Sequence, residues 1–139
     1  MTGTSVPTLP PGSSSTSTEG VRVQAIAQWL ESESDPDQRH WLYAYTITIV
    51  NEGSAPVRLR SRHWVILDAN NHREEVRGPG VVGKTPRLNP GERFEYTSSC
   101  PLNTPWGTME GSYSFERDDG SPLEVAIGRF FLVPPKTTK

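Results

Sequence analysis

Apolar and polar residues alternate along most of this chain with the period of two that marks half-buried β-strands. Val21, Val23 and Ala25 interleave with Arg22 and Gln24. Between His40 and Asn51, Trp41, Tyr43, Tyr45, Ile47 and Ile49 share one face, and Leu42, Ala44, Thr46, Thr48 and Val50 share the other. The odd-numbered face is bulkier and is assigned to the core. Val57, Leu59 and Ser61 line one side of a short strand, with Arg58, Arg60 and Arg62 opposite. Trp64 to Asp68 reads as a buried strand, and Arg73 to Val76 as a polar edge strand pairing back on it. Phe94, Tyr96 and Ser98 share a face, as do Met109, Gly111, Tyr113 and Phe115. Val125, Ile127 and Phe130 to Val133 close the series.

Turn signals separate these segments. Glu31 to Asp37 is a polar cluster, and Asn51-Glu52-Gly53-Ser54, Asn70-Asn71, Leu88-Asn89-Pro90-Gly91, Thr104-Pro105-Trp106-Gly107 and Asp118-Asp119-Gly120 each turn the chain. No window carries a helical period. The pattern predicts an all-β protein. Its expected form is an immunoglobulin or fibronectin type III-like two-sheet antiparallel sandwich of about seven to nine strands.

Composition refines the boundaries. Residues 1–20 are Thr, Ser, Pro or Gly except for Met1, Val6, Leu9 and Glu19, a content that buries too little apolar surface to offset ordering entropy. Residues 1–20 are therefore expected to be a disordered tail, residues 21–134 the folded domain, and residues 135–139 a loose end. The 13 prolines and 12 glycines spread along the chain favour short strands over long helices.

With 14 basic and 16 acidic residues the net charge is −2, which lacks the basic surplus of a non-specific nucleic-acid binder. No run approaches the ~20 apolar residues of a membrane helix, and the first residues lack the pattern of a secretory signal. A single cysteine, Cys100, excludes an intrachain disulfide. The expectation is a cytoplasmic protein without membrane insertion or nucleic-acid binding.

Candidate chemistry centres on Gly78-Pro79-Gly80-Val81-Val82-Gly83-Lys84-Thr85, which formally satisfies both G-x-G-x-x-G and the Walker A pattern. Both motifs require a following helix, whose N-terminus meets the phosphates. Pro86 and Pro90 oppose a helix there. The loop is read mainly as a structural connector. The functional alternative is a cradle of backbone N–H groups at Gly78, Gly80 and Gly83, flanked by Arg77, Lys84 and Arg87, holding a phosphate, pyrophosphate or nucleotide. His40, His63 and His72 lack metal-site spacing, so neither a metal nor a cofactor is expected. Cys100 reads as a packing residue, and no nucleophile motif accompanies it. Trp106, between Pro105 and Gly107, is the tryptophan least assured of burial and a candidate protein-binding anchor beside the glycine loop.

Several ordered strings resemble the ApaG family: Gly78 to Gly83, Pro86-Arg87-Leu88-Asn89-Pro90-Gly91, Phe94-Glu95-Tyr96-Thr97-Ser98 and Met109-Glu110-Gly111-Ser112-Tyr113-Ser114-Phe115. Tyr43 to Asn51 and Trp64 are similar to that family too, so the resemblance spans roughly residues 20–134. It implies a fibronectin type III-like sandwich and a bacterial protein linked to cobalt tolerance and magnesium efflux, with no established reaction. It also implies an interaction module of the kind found in eukaryotic F-box proteins and a DNA-polymerase-interacting protein. The family's glycine motif has been likened to pyrophosphate-binding loops and maps onto Gly78, Gly80 and Gly83. The expected function is thus a non-enzymatic interaction module with an unidentified protein partner, using the glycine loop and Trp106. The alternative is phosphate binding at the loop. Open edge strands would also accept a second copy of the chain.

Overall fold

The computed structural model describes residues 9–135, and over that range every regular element is a strand or a single 3-10 turn. In chain order the strands are β1 (Ser14–Thr18), β2 (Val21–Trp29), β3 (Trp41–Asn51), β4 (Val57–Asp68), β5 (Arg73–Pro79), β6 (Arg87–Leu88), β7 (Arg93–Leu102), β8 (Gly107–Arg117) and β9 (Pro122–Leu132). They form two antiparallel sheets, one in the order β1-β2-β3-β7 and one in the order β5-β4-β8-β9, with β6 paired to the start of β4. The architecture is a β-sandwich.

The odd face of β3 is inward, with Tyr43, Ile47 and Ile49 fully buried. Trp64 of β4 lies at the centre of the core, its ring 5.4 Å from Tyr45, 5.9 Å from Phe130 and 6.3 Å from Tyr113, all near edge-to-face. Such pairs contribute about 0.5–1.5 kcal/mol each beyond their area.

Two β-bulges decide which side chains face this core. Opposite Phe115 and Ser114 of β8, β4 inserts an extra residue between Leu59 and Ser61. Side chains alternate with period two, so the insertion exchanges the faces beyond it. Val57 and Leu59 point inward before the bulge, and Trp64 and Ile66 point inward after it. Arg62 shares their parity and therefore faces inward, which corrects its expected place on the solvent side with Arg58 and Arg60. A second bulge, between Met109 and Gly111 opposite Phe130 and Ile127, does the same for β9.

The expectation that residues 1–20 form a disordered tail is also corrected. Residues 1–8 lie outside the described residues, but Ser14 to Thr18 pair in register with Val21 to Ala25. Composition misled here because this strand is held by its ladder to β2 and by its hydroxyls, not by apolar burial. Ser14 Oγ donates to the Gly128 carbonyl (2.8 Å), Thr16 Oγ1 donates to the Ala126 carbonyl (3.1 Å), and the Ala126 amide donates to Thr18 Oγ1 (3.2 Å). Just ahead of the strand, the Phe131 amide donates to the Gly12 carbonyl. A row of side chains thus satisfies the open edge of β9 and joins the two sheets along one side. Gly128 lets this row approach closely, because a Cβ there would stand 2.8 Å from the Thr16 methyl and push that side chain aside. Ser14→Ala is expected to lower folding stability by about 1 kcal/mol, read as a lower urea midpoint at unchanged slope.

Candidate functional site

The glycine loop runs from the end of β5 to β6 and contains no helix. Its core is a two-residue hairpin. The Val81 amide donates to the Lys84 carbonyl (2.9 Å) and the Lys84 amide returns to the Val81 carbonyl (2.8 Å). Both central residues have positive φ, 42° at Val82 and 78° at Gly83, the pattern of a type I′ turn. Glycine adopts that conformation freely, whereas a β-branched residue is strained in it. Val82 is also 53% exposed, so no core packing rewards it. Its neighbour Val81 is buried and anchors the hairpin in the core.

The loop is stitched to the bulge in β4. The Gly80 amide donates to the Arg60 carbonyl (2.8 Å), the Leu59 amide donates to the Pro86 carbonyl (3.0 Å), and Arg58 Nη1 donates to the Thr85 carbonyl (2.8 Å). Arg62, turned inward, donates through Nη1 to the carbonyls of Pro79 (2.9 Å) and Gly80 (2.8 Å). Its guanidinium lies against Gly78, where a Cβ would stand 2.9 Å from Nη2. Gly80 has φ of 59°, and a Cβ there would meet the Lys84 carbonyl at 2.4 Å.

This geometry bears on phosphate binding. The amides of Gly80, Val81 and Lys84 are already spent on backbone carbonyls, which leaves those of Val82, Gly83 and Thr85. Arg87 is engaged in a two-point contact with Asp118, at 2.6 Å and 3.3 Å. That contact holds the Asp118 carboxyl below the usual carboxylate range. Arg77 leans towards Glu75 at 3.6 Å, while Lys84 makes no ion pair among the described residues. Glu75 also accepts from His63 (2.8 Å) and Arg73 (2.9 Å), and these contacts, His63 first, lower its pKa.

Gly78, Gly80, Gly83 and Lys84 are thus together in the loop, with Arg77 just before it and Arg87 just after. Trp106 is not beside them. It sits in the β7–β8 turn, where Gly107 pairs with Asp68, eight residues along β4 from Arg60. At ~3.3 Å per residue that is about 26 Å from the loop. Trp106 is 42% exposed, and its carbonyl accepts from Thr104 Oγ1 (2.8 Å). The adjacent Pro105 carbonyl accepts from the Tyr43 hydroxyl (2.5 Å).

A residue that the alternation missed, Arg62, joins the loop to a second feature. Between the free edges of β5 and β7 the sandwich opens into a cavity of about 280 Å³, with Arg62, Trp64, Glu74, Ser98 and Cys100 in its lining. Behind it the hydroxyls of Tyr96 and Tyr113 are hydrogen-bonded to each other. The Cys100 thiol is buried, and burial pushes its pKa up to about 12. A larger groove of about 710 Å³ lies between the two chain ends, lined by Pro10, Pro11, Trp29, Val133, Pro134 and Pro135. Among the described residues no three His, Cys, Asp or Glu side chains cluster as metal ligands, and no helix is long and apolar enough to cross a membrane.

These features define a two-sheet β-sandwich that displays a strained glycine-rich hairpin. Residues 31–117 match the ApaG domain family, and the chain belongs to that family. Protein ApaG of Methylobacterium sp. (strain 4-46) is 51% identical over 118 residues, covering 85% of this chain and 91% of that relative. Protein ApaG of Bordetella pertussis is 49% identical over 115 residues, covering 83% and 88%. The crystal structure of the putative ApaA protein from Bordetella pertussis superposes with a TM-score of 0.82 at 48% identity, covering 84% of this chain and 95% of that one.

Two outcomes follow from the site. Val82→Gly relieves the positive φ and is expected to raise stability by about 1 kcal/mol, read by urea denaturation. Cys100 should resist iodoacetamide at pH 8 in the native protein and react promptly in urea, because a thiol held near pKa 12 is almost wholly protonated at that pH.

Proposed function

We propose that this ApaG-family chain is a non-enzymatic interaction module, and that its contact surface is the Val81–Lys84 hairpin. One observation carries this reading: an apolar β-branched side chain stands at positive φ on an exposed tip. Exposure and strain both cost stability, and strained residues cluster at binding and switch regions. The support beneath the tip is rigid. Val81 is sunk in the core, and Arg62 and the Arg60 carbonyl hold the loop's base. A rigid apolar tip loses little entropy on docking. Trp106, about 26 Å away along β4, is a second and separate anchor.

On this reading any connection to cobalt tolerance or magnesium efflux is indirect and runs through the partner. Phosphate or nucleotide binding at the loop is the second reading. It is favoured by the uncommitted amides of Val82 and Gly83 beside Lys84.

Affinity capture from a bacterial lysate tests the first reading. A discrete partner should be retained by the native chain and lost on Val82→Asp, with a urea midpoint no lower than that of the native chain. Trp106→Ala should weaken capture only where the partner spans both sites. Capture insensitive to Val82→Asp overturns the hairpin as the contact. Titration with pyrophosphate tests the second reading. Saturable shifts of the Val82 and Gly83 amides, abolished by Lys84→Ala, would replace the first reading with the second.

A further inference from the structure

The groove of about 710 Å³ between the two chain ends is built from rigid parts. One wall is the turn Pro10-Pro11-Gly12-Ser13. The Ser13 amide donates to the Pro10 carbonyl (3.1 Å), with Pro11 at the first central position and Gly12 at the second with φ of 87°, the arrangement of a type II turn. The turn is tied to β9 where the Phe131 amide donates to the Gly12 carbonyl (2.8 Å). The other wall is Val133-Pro134-Pro135, which follows β9 directly. Ala27 and Trp29, at the end of β2, pack against the core and form the floor. Val133 is 41% exposed, so the groove offers an apolar surface to solvent.

The lining decides what can lie there. Four of its residues are prolines, which carry no N–H, so neither wall can extend a β-ladder to an incoming strand. Gln28 contributes the one polar side chain. An occupant whose backbone brings amide N–H groups would strip them of water with few acceptors in return. A polyproline II segment avoids that loss. Its prolines bring no N–H, it needs no ladder, and it is ordered before it docks.

Charge beside the groove selects what flanks those prolines. After Trp29 the chain enters a loop bearing the exposed side chains of Glu31, Glu33, Asp35 and Asp37, with Arg39 as its one cation. Among the described residues none of these four carboxylates makes an ion pair. The loop is fixed in place. The Leu30 amide donates to the Leu42 carbonyl (2.9 Å), and Ser34 Oγ donates to the Leu30 carbonyl (2.8 Å) while accepting from the Leu42 amide (2.9 Å). Glu31 and Glu33 follow Trp29 by two and four residues, no more than about 7 Å and 14 Å of chain. A polyproline II segment rises ~3.1 Å per residue, so residues two to four beyond its docked prolines reach these carboxylates.

We propose that this groove binds a proline-rich segment of another protein in the polyproline II conformation, with basic residues beyond the prolines meeting Glu31 and Glu33. The surface lies at the Asp68–Gly107–Leu132 end of the second sheet, away from the glycine hairpin at the start of β4. It is therefore independent of the contact at Val82, and either can fail without the other.

The probe is a capped peptide of six prolines followed by two arginines. One control replaces the arginines with glutamates, and the other keeps them but replaces the prolines with glycine and serine. Binding is read by NMR from the backbone amides of Ala27, Gln28, Trp29 and Val133. The basic proline peptide should shift these amides saturably, and each control should bind about tenfold more weakly or worse at low salt. Added salt should narrow the gap to the acidic peptide. Glu31→Lys with Glu33→Lys alters exposed side chains alone and should reverse the preference between the two proline peptides. Val133→Ser should weaken binding about three- to tenfold in a folded protein. Val82→Asp should leave binding unchanged, and loss of binding on that change would place the peptide at the hairpin and overturn the proposal. It is equally overturned if the groove amides ignore the basic proline peptide, if the proline-free peptide binds as well, or if the charge-reversed loop keeps the native preference. Shifts of the same amides on raising the protein concentration, with no peptide present, would assign the groove to a second copy of the chain and overturn it too.

Discussion

One inserted residue in β4 governs how the two sheets meet. Twelve residues of β4 cross the core, and the inward side chains are odd-numbered at one end, Val57 and Leu59, and even-numbered at the other, Trp64 and Ile66. A regular strand cannot do both, because a period of two fixes the parity along its length. The bulge between Leu59 and Ser61 reconciles the ends. It also leaves the Arg60 carbonyl to receive the Gly80 amide and turns Arg62 under the glycine loop. The aromatic cluster around Trp64, the shape of the loop and the inward charge all descend from that one insertion.

The two sides of the sandwich show different solutions to the same problem. Exposed strand edges invite pairing with other chains. On one side β1 satisfies β9 through hydroxyls rather than by a continued ladder, which lets the sheets remain two sheets instead of closing as a barrel. On the other side both edges stay free among the described residues but are blunted. β5 presents Arg73, Glu74, Glu75 and Arg77, and β7 carries Pro101. Charge and proline disfavour addition of a strand to either edge. That side can therefore keep an opening to solvent without becoming a general docking edge.

Much of this was legible in the alternation of residues. β3 declared its inward face because every second residue is large and apolar, and the absence of a helix after the glycines followed from Pro86 and Pro90. Three features were not legible, each for a physical reason. Arg62 read as a solvent residue because alternation carries parity only until a bulge, and a bulge is a property of the pairing between β4 and β8. The strand Ser14–Thr18 read as a tail because its side-chain partners lie more than a hundred residues away on β9, and composition registers apolar burial but not hydroxyl-to-carbonyl bonds. Trp106 seemed to neighbour the loop because both lie in turns, yet the direction of β4 sets them at opposite ends. The type I′ turn was hidden for a further reason. Val82 occupies a position where Asn or Gly is the usual choice, so the familiar hairpin signal is missing.

That substitution is informative in itself. A hairpin selected for stability alone would carry Asn-Gly or Gly-Gly at its centre, and either change would relieve the strained φ of Val82. The surrounding structure instead holds the strained residue in place: Val81 in the core on one side, two hydrogen bonds across the turn, and Arg62 and Arg60 at the base. Residues held in sparsely populated φ persist where the surrounding structure over-determines them, and they cluster at binding and switch regions. An over-determined loop that presents valine to water at a cost in stability is the arrangement that the proposed contact at the tip requires. Arg62 extends that logic inward. The same guanidinium that fixes the hairpin's base faces the inter-sheet mouth, so the loop's geometry and the charge in the mouth cannot vary independently.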